Sequence, residues 1–161
     1  MRRPLAILVA VVLVAALGAG TATVALSKGS AATIKTRHTS LGTILVDAKG
    51  RTLYLFEKDT KNKSKCSGQC AVNWPPALTG GKPKAAGGAV ASRLGTTKRA
   101  DGKTQVTYSG HPLYLFIADK NKPGSTKGEG IDAFGAEWYV VGTNGKKIEN
   151  EKGGSSSRGG Y

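Results

Sequence analysis

A chain of 161 residues with a formal net charge of +14 at pH 7 has room for one domain or for two small interlocked repeats. Such a charge favours anionic partners, namely a membrane surface, an envelope polymer or nucleic acid. The lysines are spread through loops rather than clustered on one face, which argues against a specific nucleic-acid site. A solvated basic surface, with an anionic envelope polymer or a membrane surface as its partner, is therefore favoured.

The first 27 residues are predicted to be a leader. Residues 5–26 contain no charged side chain, which is typical of a signal peptide or of an N-terminal membrane anchor. The small residues Ala25 and Ser27 predict cleavage before Lys28, with retention as an anchor as the alternative. Under either alternative, the rest of the chain is predicted to lie outside the cytoplasm, as a secreted or as a membrane-anchored protein. Residues 28–40 are polar and basic without an apolar period, which predicts a tether.

Residues 41–148 are predicted to form an all-β domain. Apolar and β-branched runs at residues 43–46 and 52–56 flank a turn and predict a hairpin. A short helical turn over residues 69–73 should end at the two prolines that follow. A connection rich in Gly, Lys and Pro is predicted over residues 79–89.

The second half repeats this organisation after that connection. Residues 119–135 form a long glycine-containing loop, and residues 149–161 are rich in Gly and Ser and predicted to be disordered. Strands are predicted at residues 90–97, 103–108, 111–116 and 138–141.

One short stretch occurs twice. Residues 54–59 read Tyr-Leu-Phe-Glu-Lys-Asp, residues 114–119 read Tyr-Leu-Phe-Ile-Ala-Asp, and a tryptophan follows each copy, Trp74 and Trp138. Such self-similarity is typical of a duplicated fold element. The domain is therefore predicted to consist of two related hairpin-containing repeats, residues 41–78 and residues 90–148.

The centre of each copy is predicted to be a strand that is buried on both sides. Successive side chains of a strand point to opposite faces, so Tyr54 and Phe56 share one face and Leu53 and Leu55 the other. The second copy should repeat this arrangement with Tyr114, Phe116, Leu113 and Leu115. The aromatic residues of the motif are accordingly predicted to be structural.

Asp59 and Asp119 occupy equivalent positions in the two copies. Two carboxylates across a cleft could perform acid–base chemistry such as glycoside hydrolysis. The favoured interpretation is that each aspartate caps the turn after its strand by accepting bonds from nearby backbone N–H groups. A duplicated structural unit keeps its turn residues wherever they do the same job. No catalytic residue and no enzymatic activity are predicted.

The two cysteines, Cys66 and Cys70, are predicted to form a disulfide, since an even count in an exported chain is typical of one. The alternative is a redox or metal-handling role for the two thiols, for example in binding Cu(I). A closed zinc site requires four ligands, whereas these cysteines and His111 supply three. No metal site and no cofactor are predicted.

The motifs together resemble those of a known family. Its mark, Tyr-x-(Phe/Trp/Tyr)-x-x-Asp, occurs twice, and the cysteine pair leads to Trp74 and two prolines after the first copy. The stretch over residues 94–114 matches as well. The chain is thus similar to the "secreted repeat of unknown function" family of predicted bacterial lipoproteins. The leader lacks the cysteine that lipid attachment requires, so anchoring by lipid is not carried over.

The prediction for function is an exported protein of the cell envelope whose activity is not specified. Within that class, a non-catalytic binding or structural module is favoured. An extracytoplasmic redox or metal-handling protein that uses Cys66 and Cys70 is the alternative.

Overall fold

The computed structural model describes residues 29–149, which contain nine β-strands and one short α-helix. The helix α1 spans Gln69–Asn73, where a helical turn was expected, and two 3-10 turns span Ala91–Arg93 and Ile117–Asp119. The predicted leader and the predicted tail after residue 149 lie outside the described residues. The strands are β1 (Thr33–Thr39), β2 (Gly42–Asp47), β3 (Tyr54–Phe56), β4 (Lys84–Ala85), β5 (Leu94–Lys98), β6 (Thr104–Tyr108), β7 (His111–Pro112), β8 (Ile131–Ala133) and β9 (Ala136–Val140).

These strands pair into three small sheets. The strand orders are β2-β1-β4, β3-β9-β8 and β5-β6-β7. Neighbouring strands are antiparallel except β1 and β4, which are parallel. The prediction of an all-β fold is confirmed.

The two copies of the motif meet at a pair of equivalent tyrosines. Tyr54 N–H donates to Tyr114 O over 2.9 Å, and Tyr114 N–H donates to Tyr54 O over 3.0 Å. A contact in which residue i bonds residue j and j bonds i is the mark of an approximate twofold relationship. The two repeats therefore associate like the two subunits of a dimer within one chain.

The predicted alternation along the motif is confirmed, because its two faces belong to two separate cores. Tyr54 and Phe56 lie in one cluster of buried side chains, which also contains Tyr114 and both tryptophans. Leu53 and Leu55 lie in the other cluster. The side chains of the second core are Ile34, Leu45, Leu53, Leu55, Val106, Tyr108, Leu113 and Val141.

The prediction of a tether over residues 28–40 is wrong for Thr33–Thr39, which forms β1. This strand pairs with β2 along its whole length, from Ile34 opposite Asp47 to Thr39 opposite Gly42. Ile34 is buried, whereas the basic side chain of Arg37 is exposed. A strand that buries a single large apolar side chain shows no periodic pattern in the sequence, which explains the error.

The strand pairing also differs from the prediction in the first repeat. The predicted hairpin between residues 43–46 and 52–56 is reduced to one bridge, Val46 with Thr52, and β3 pairs with β9 instead. The predicted connection between the repeats contains β4, and the predicted loop over residues 119–135 contains β8. The pairings of β3 with β9 and of β1 with β4 join segments that are distant in the sequence, so no local pattern predicts them. Strand β8, in contrast, forms a local hairpin with β9 across Phe134 and Gly135.

In the second repeat, one predicted hairpin is confirmed and two predicted strands are shorter, since Ala91–Arg93 forms a 3-10 turn at the start of the strand predicted over residues 90–97. Strands β5 and β6 pair antiparallel from Leu94 opposite Tyr108 to Lys98 opposite Thr104, as expected for the Asp-Gly turn between them. Of the strand predicted over residues 111–116, the structure keeps β7 and a bridge at Tyr114.

Candidate functional site

Each tyrosine of the repeated motif donates a hydrogen bond to the aspartate of the other repeat. Tyr54 Oη donates to Asp119 Oδ2 over 2.7 Å. Tyr114 Oη donates to Asp59 Oδ2 over the same distance, 2.7 Å. The tyrosine and the aspartate of one copy therefore do not bond each other. Each bonds the complementary residue of the other copy, so the two copies exchange partners.

The second oxygen of each aspartate holds the loop that follows its own motif. Asp59 Oδ1 accepts the backbone N–H of Lys65 at 2.6 Å. Asp119 Oδ1 accepts the backbone N–H of Lys127 at 3.1 Å and the hydroxyl of Ser125 at 2.6 Å. The bonded N–H groups lie six and eight positions after the aspartates, so each aspartate closes a longer loop instead of capping the turn directly after its strand. With both oxygens engaged, each carboxylate fastens a loop to the opposite repeat.

The environment of these pairs fixes which partner carries the proton. Burial, together with the neighbouring carboxylates, raises the pKa of both Tyr54 and Tyr114 well above the usual phenol range. Burial also raises the pKa of Asp59 to about 6, although the bonds from Tyr114 and Lys65 and the charge of Arg99 oppose this. Both phenols therefore remain hydrogen-bond donors at neutral pH.

Four aromatic rings stack across the junction of the repeats. Trp74 and Trp138 are parallel within 4°, with ring centroids 4.0 Å apart. Phe116 stacks on Trp74 at 4.0 Å and Phe56 stacks on Trp138 at 4.1 Å. As with the tyrosines, each phenylalanine packs on the tryptophan of the other repeat. The aromatic residues that the sequence singled out thus form the centre of one core.

The predicted disulfide between Cys66 and Cys70 is present. It lies immediately before and within α1, and both cysteines are buried in the aromatic core. Helix α1 is a single short turn that leads to Trp74. The disulfide therefore fixes the turn that delivers this tryptophan to the ring stack.

Arg99, from the turn between β5 and β6, reaches the same region. Its side chain is 5 % exposed. Its guanidinium donates to Cys66 O over 2.7 Å, to Ser64 Oγ over 2.9 Å and to Gln105 Oε1 over 2.6 Å. Ser64 Oγ in turn lies 2.7 Å from the hydroxyl of Tyr114. The arginine is thereby connected to one tyrosine–aspartate pair.

A cavity of about 620 Å³ opens beside this arginine. Two segments form its wall, the loop before α1 together with the start of that helix, and the turn between β5 and β6. Basic side chains predominate among the charged groups of the lining. The lining residues are Lys63, Ser64, Cys66, Ser67, Gly68, Ala71, Lys98, Arg99, Ala100 and Asp101.

The sequence did not point to this cavity. Arg99 stands in a run of charged and small residues before an Asp-Gly turn, a pattern that predicts an exposed hairpin end. Lys63 and Lys98 are two exposed lysines among many. Arg99 follows the last residue of β5, and its burial depends on the contact with the buried side chain of Gln105, for which the sequence gives no signal.

Among residues 29–149, no group of three or more His, Cys, Asp or Glu side chains is placed to hold a metal ion. Burial lowers the pKa of His111, the third N/S ligand in the sequence. No helix in the same range is long and apolar enough to cross a membrane.

The fold and the exchanged contacts define a class of protein, a duplicated β domain whose repeats interlock through their shared motif. The family described as "secreted repeat of unknown function" matches residues 35–78 and residues 95–142, more than half of the chain. The chain belongs to this family, and the resemblance seen in the sequence is confirmed. It is accordingly an exported, extracytoplasmic protein. Comparisons with curated proteins and with solved structures each gave no match.

Proposed function

We propose that this protein is a non-catalytic module of the cell envelope that binds an anionic envelope polymer on its lysine-rich surface. The observation that carries this proposal is the distribution of exposed basic side chains over the loops. Such a surface attracts a polyanion from several directions rather than at one point. The exposed lysines include Lys49, Lys61, Lys63, Lys65, Lys84, Lys98, Lys120, Lys122, Lys127 and Lys146.

The acidic side chains do not neutralise this surface. Asp59 and Asp119 accept hydrogen bonds from buried tyrosines, and Glu129 accepts a backbone N–H at 2.8 Å. Among residues 29–149, the lysines with a carboxylate oxygen within 4 Å are Lys103 and Lys147. Of the other lysines in this range, Lys58 donates to Phe134 O over 3.1 Å. The exposed lysines named above have no carboxylate oxygen within 4 Å in this range and can contact an external anion.

The same contacts support a binding role over a catalytic one. A general acid or base needs an oxygen that can reach a substrate. Both oxygens of Asp59 and both oxygens of Asp119 are engaged within the protein. The alternative metal-handling role needs free thiols, whereas Cys66 and Cys70 are bonded to each other. A redox role needs an accessible disulfide, whereas both cysteines are buried. A structural disulfide in an interlocked domain agrees better with a rigid binding module.

Co-sedimentation of the exported protein with a phosphate-rich anionic polymer tests the proposal. We expect binding at low ionic strength and its loss on raising the salt, because the Debye length falls from about 30 Å at 0.01 M to about 3 Å at 1 M. A neutral polysaccharide is the matched control and should not bind. Equal binding to the neutral polymer, or binding that is indifferent to salt, contradicts the proposal. Preferential binding to anionic lipid vesicles would move the partner to the membrane surface instead.

A further inference from the structure

The cavity beside the disulfide contains a buried cation without a hydrogen-bonded counter-ion. The side chain of Arg99 is 5 % exposed, and its three hydrogen bonds go to neutral oxygens of Ser64, Cys66 and Gln105. Its Nε has no hydrogen-bond partner in the part of the chain that the structure describes. Asp101 Oδ1 lies 3.8 Å from that nitrogen, beyond hydrogen-bond distance. Asp101 is therefore only a distant ion-pair partner that Arg99 shares with Lys103, and an external anion in the cavity would give this buried cation a closer one.

Two further cations line the same cavity. Lys63 and Lys98 are exposed, and neither has a carboxylate oxygen within 4 Å among residues 29–149. The carboxylate of Asp101 opposes them and is shared with Lys103 at 3.8 Å. Three cations against one carboxylate leave the lining with an excess of positive charge that matches a dianion.

The position of the arginine is fixed by the repeated motif. Arg99 Nη1 donates to Ser64 Oγ, which contacts the Tyr114 hydroxyl that is bonded to Asp59. In the opposite pair the hydroxyl of Tyr54 instead lies 3.3 Å from the backbone of Gly128. The approximate symmetry of the repeats is thus broken on the side where the cavity lies. A binding site there would be supported by the hydrogen bonds that link Arg99, through Ser64, to the Tyr114–Asp59 pair.

We propose that this cavity is a specific site for one phosphate group, held by Arg99, Lys63 and Lys98. Arg99 contributes its positive charge and its remaining N–H groups, because Nη1 already donates to Ser64 and Gln105 and Nη2 to Cys66. Each lysine contributes a point charge. The site goes beyond diffuse attachment of a polymer, because three cations line one cavity. The phosphate is either free or carried by an envelope polymer.

Calorimetric titration of the exported protein with inorganic phosphate, at constant low ionic strength, tests the site. Lys63→Gln and Lys98→Gln should each weaken binding roughly tenfold, the effect expected for one hydrogen bond between charged groups. Lys82→Gln removes the same charge from an exposed position outside the cavity and should leave binding unchanged. Asp101→Asn should strengthen binding several-fold by removing the opposing charge. Equal weakening by all three lysine variants, or no binding of millimolar phosphate by the wild type, overturns the proposal.

Titration with poly(glycerol phosphate) distinguishes the two sources of phosphate. If the polymer competes with inorganic phosphate for binding, and if Lys98→Gln weakens binding of the polymer, the polymer is the source of the bound phosphate group. Phosphate binding without such competition identifies the free anion. Salt-sensitive polymer binding that survives the cavity variants, while phosphate binding is absent, overturns the cavity and leaves the proposed function intact. Phosphate binding without any polymer binding supports the cavity as a phosphate site and overturns the proposed function.

Discussion

Tyr54 and Asp119 form a buried hydrogen bond of 2.7 Å across 65 positions of the chain. Tyr54 belongs to the first copy of the motif and Asp119 to the second. A buried carboxylate that loses its donor leaves an uncompensated charge, which is strongly destabilising. Each repeat therefore supplies the hydrogen-bond donor that compensates for the burial of the other repeat's aspartate. The two repeats should consequently fold as one cooperative unit.

A double-mutant cycle tests this exchange. Tyr54→Phe should lower the free energy of unfolding by about 1–3 kcal/mol, because Asp119 then retains a buried oxygen without its donor. In the double variant Tyr54→Phe with Asp119→Ala, the loss of unfolding free energy should be clearly smaller than the sum of the losses in the two single variants, since both substitutions remove the same bond. Urea unfolding of the four proteins measures the coupling.

The matched control pairs Tyr54→Phe with Asp59→Ala. These residues belong to one copy of the motif but do not bond each other, so their effects should add to within about 0.5 kcal/mol. Coupling between Tyr54 and Asp59 instead, with additivity for Asp119, would mean that each motif closes on itself in solution.

The two phenylalanines of the motif should differ in cost, because they differ in burial. Phe56 is 2 % exposed and stacks on Trp138, so Phe56→Ala should cost about 3–5 kcal/mol. Phe116 stacks on Trp74 but is only partly buried, so Phe116→Ala should cost less, about 1–3 kcal/mol. Thermal or urea unfolding of both variants measures the difference.

Val72→Ala provides the control for these truncations. Val72 is 57 % exposed on α1, and its removal should change stability by less than about 0.5 kcal/mol. Equal costs for Phe56→Ala and Phe116→Ala would contradict the packing described here.

The sequence predicted the features that local pattern determines. Alternation placed Tyr54 and Leu53 in different cores, the even cysteine count of an exported chain predicted the disulfide, and two prolines predicted the end of a short helical turn. The alternation and the helical turn follow from residues within a few positions of one another. The composition of the motif also predicted the burial of Tyr54, Leu55 and Phe56 in the first copy, whereas Leu115 and Phe116 of the second copy are only partly buried.

The exchange of partners between repeats could not be predicted in the same way. Both copies contain a tyrosine and an aspartate, and nothing in either copy shows whether Tyr54 bonds Asp59 or Asp119. The choice follows from the pairing of Tyr54 with Tyr114, a contact across 60 residues. Strand β1 was missed for a related reason, since Ile34 is its single buried side chain and gives no period.

Gly128 is required by close packing against the motif. A Cβ at this position would lie 2.8 Å from Trp74 Cη2 and 2.8 Å from Tyr54 Cε1, atoms of two buried rings. Gly128→Ala should therefore destabilise the protein by about 1–3 kcal/mol through overpacking. Gly81→Ala is the control, because its Cβ would make an ordinary contact of 3.8 Å with Ala31. Melting temperatures compare the two, and an equal, small effect of both would contradict the tight fit.

The pH dependence of stability should reveal the environment of Asp59. Burial raises its pKa to about 6 in the folded protein, against about 3.9 in an unfolded chain. Between these values the folded state binds a proton that the unfolded state does not, so stability falls as pH rises from about 4 to 7. Because the carboxyl is partly exposed, solvent screening reduces the contribution to about 1–2 kcal/mol.

The reference protein for this measurement is Asp59→Asn, which cannot titrate at that position. Subtracting its free energy of unfolding from that of the wild type at each pH removes the contribution of the other groups. The difference should favour the wild type more at pH 4.5 than at pH 7.5. Three groups oppose the effect of burial on this carboxyl, namely Tyr114, Lys65 and Arg99. If these prevailed, the pKa of Asp59 would lie below its unfolded value, and the difference would instead shift against the wild type on acidification.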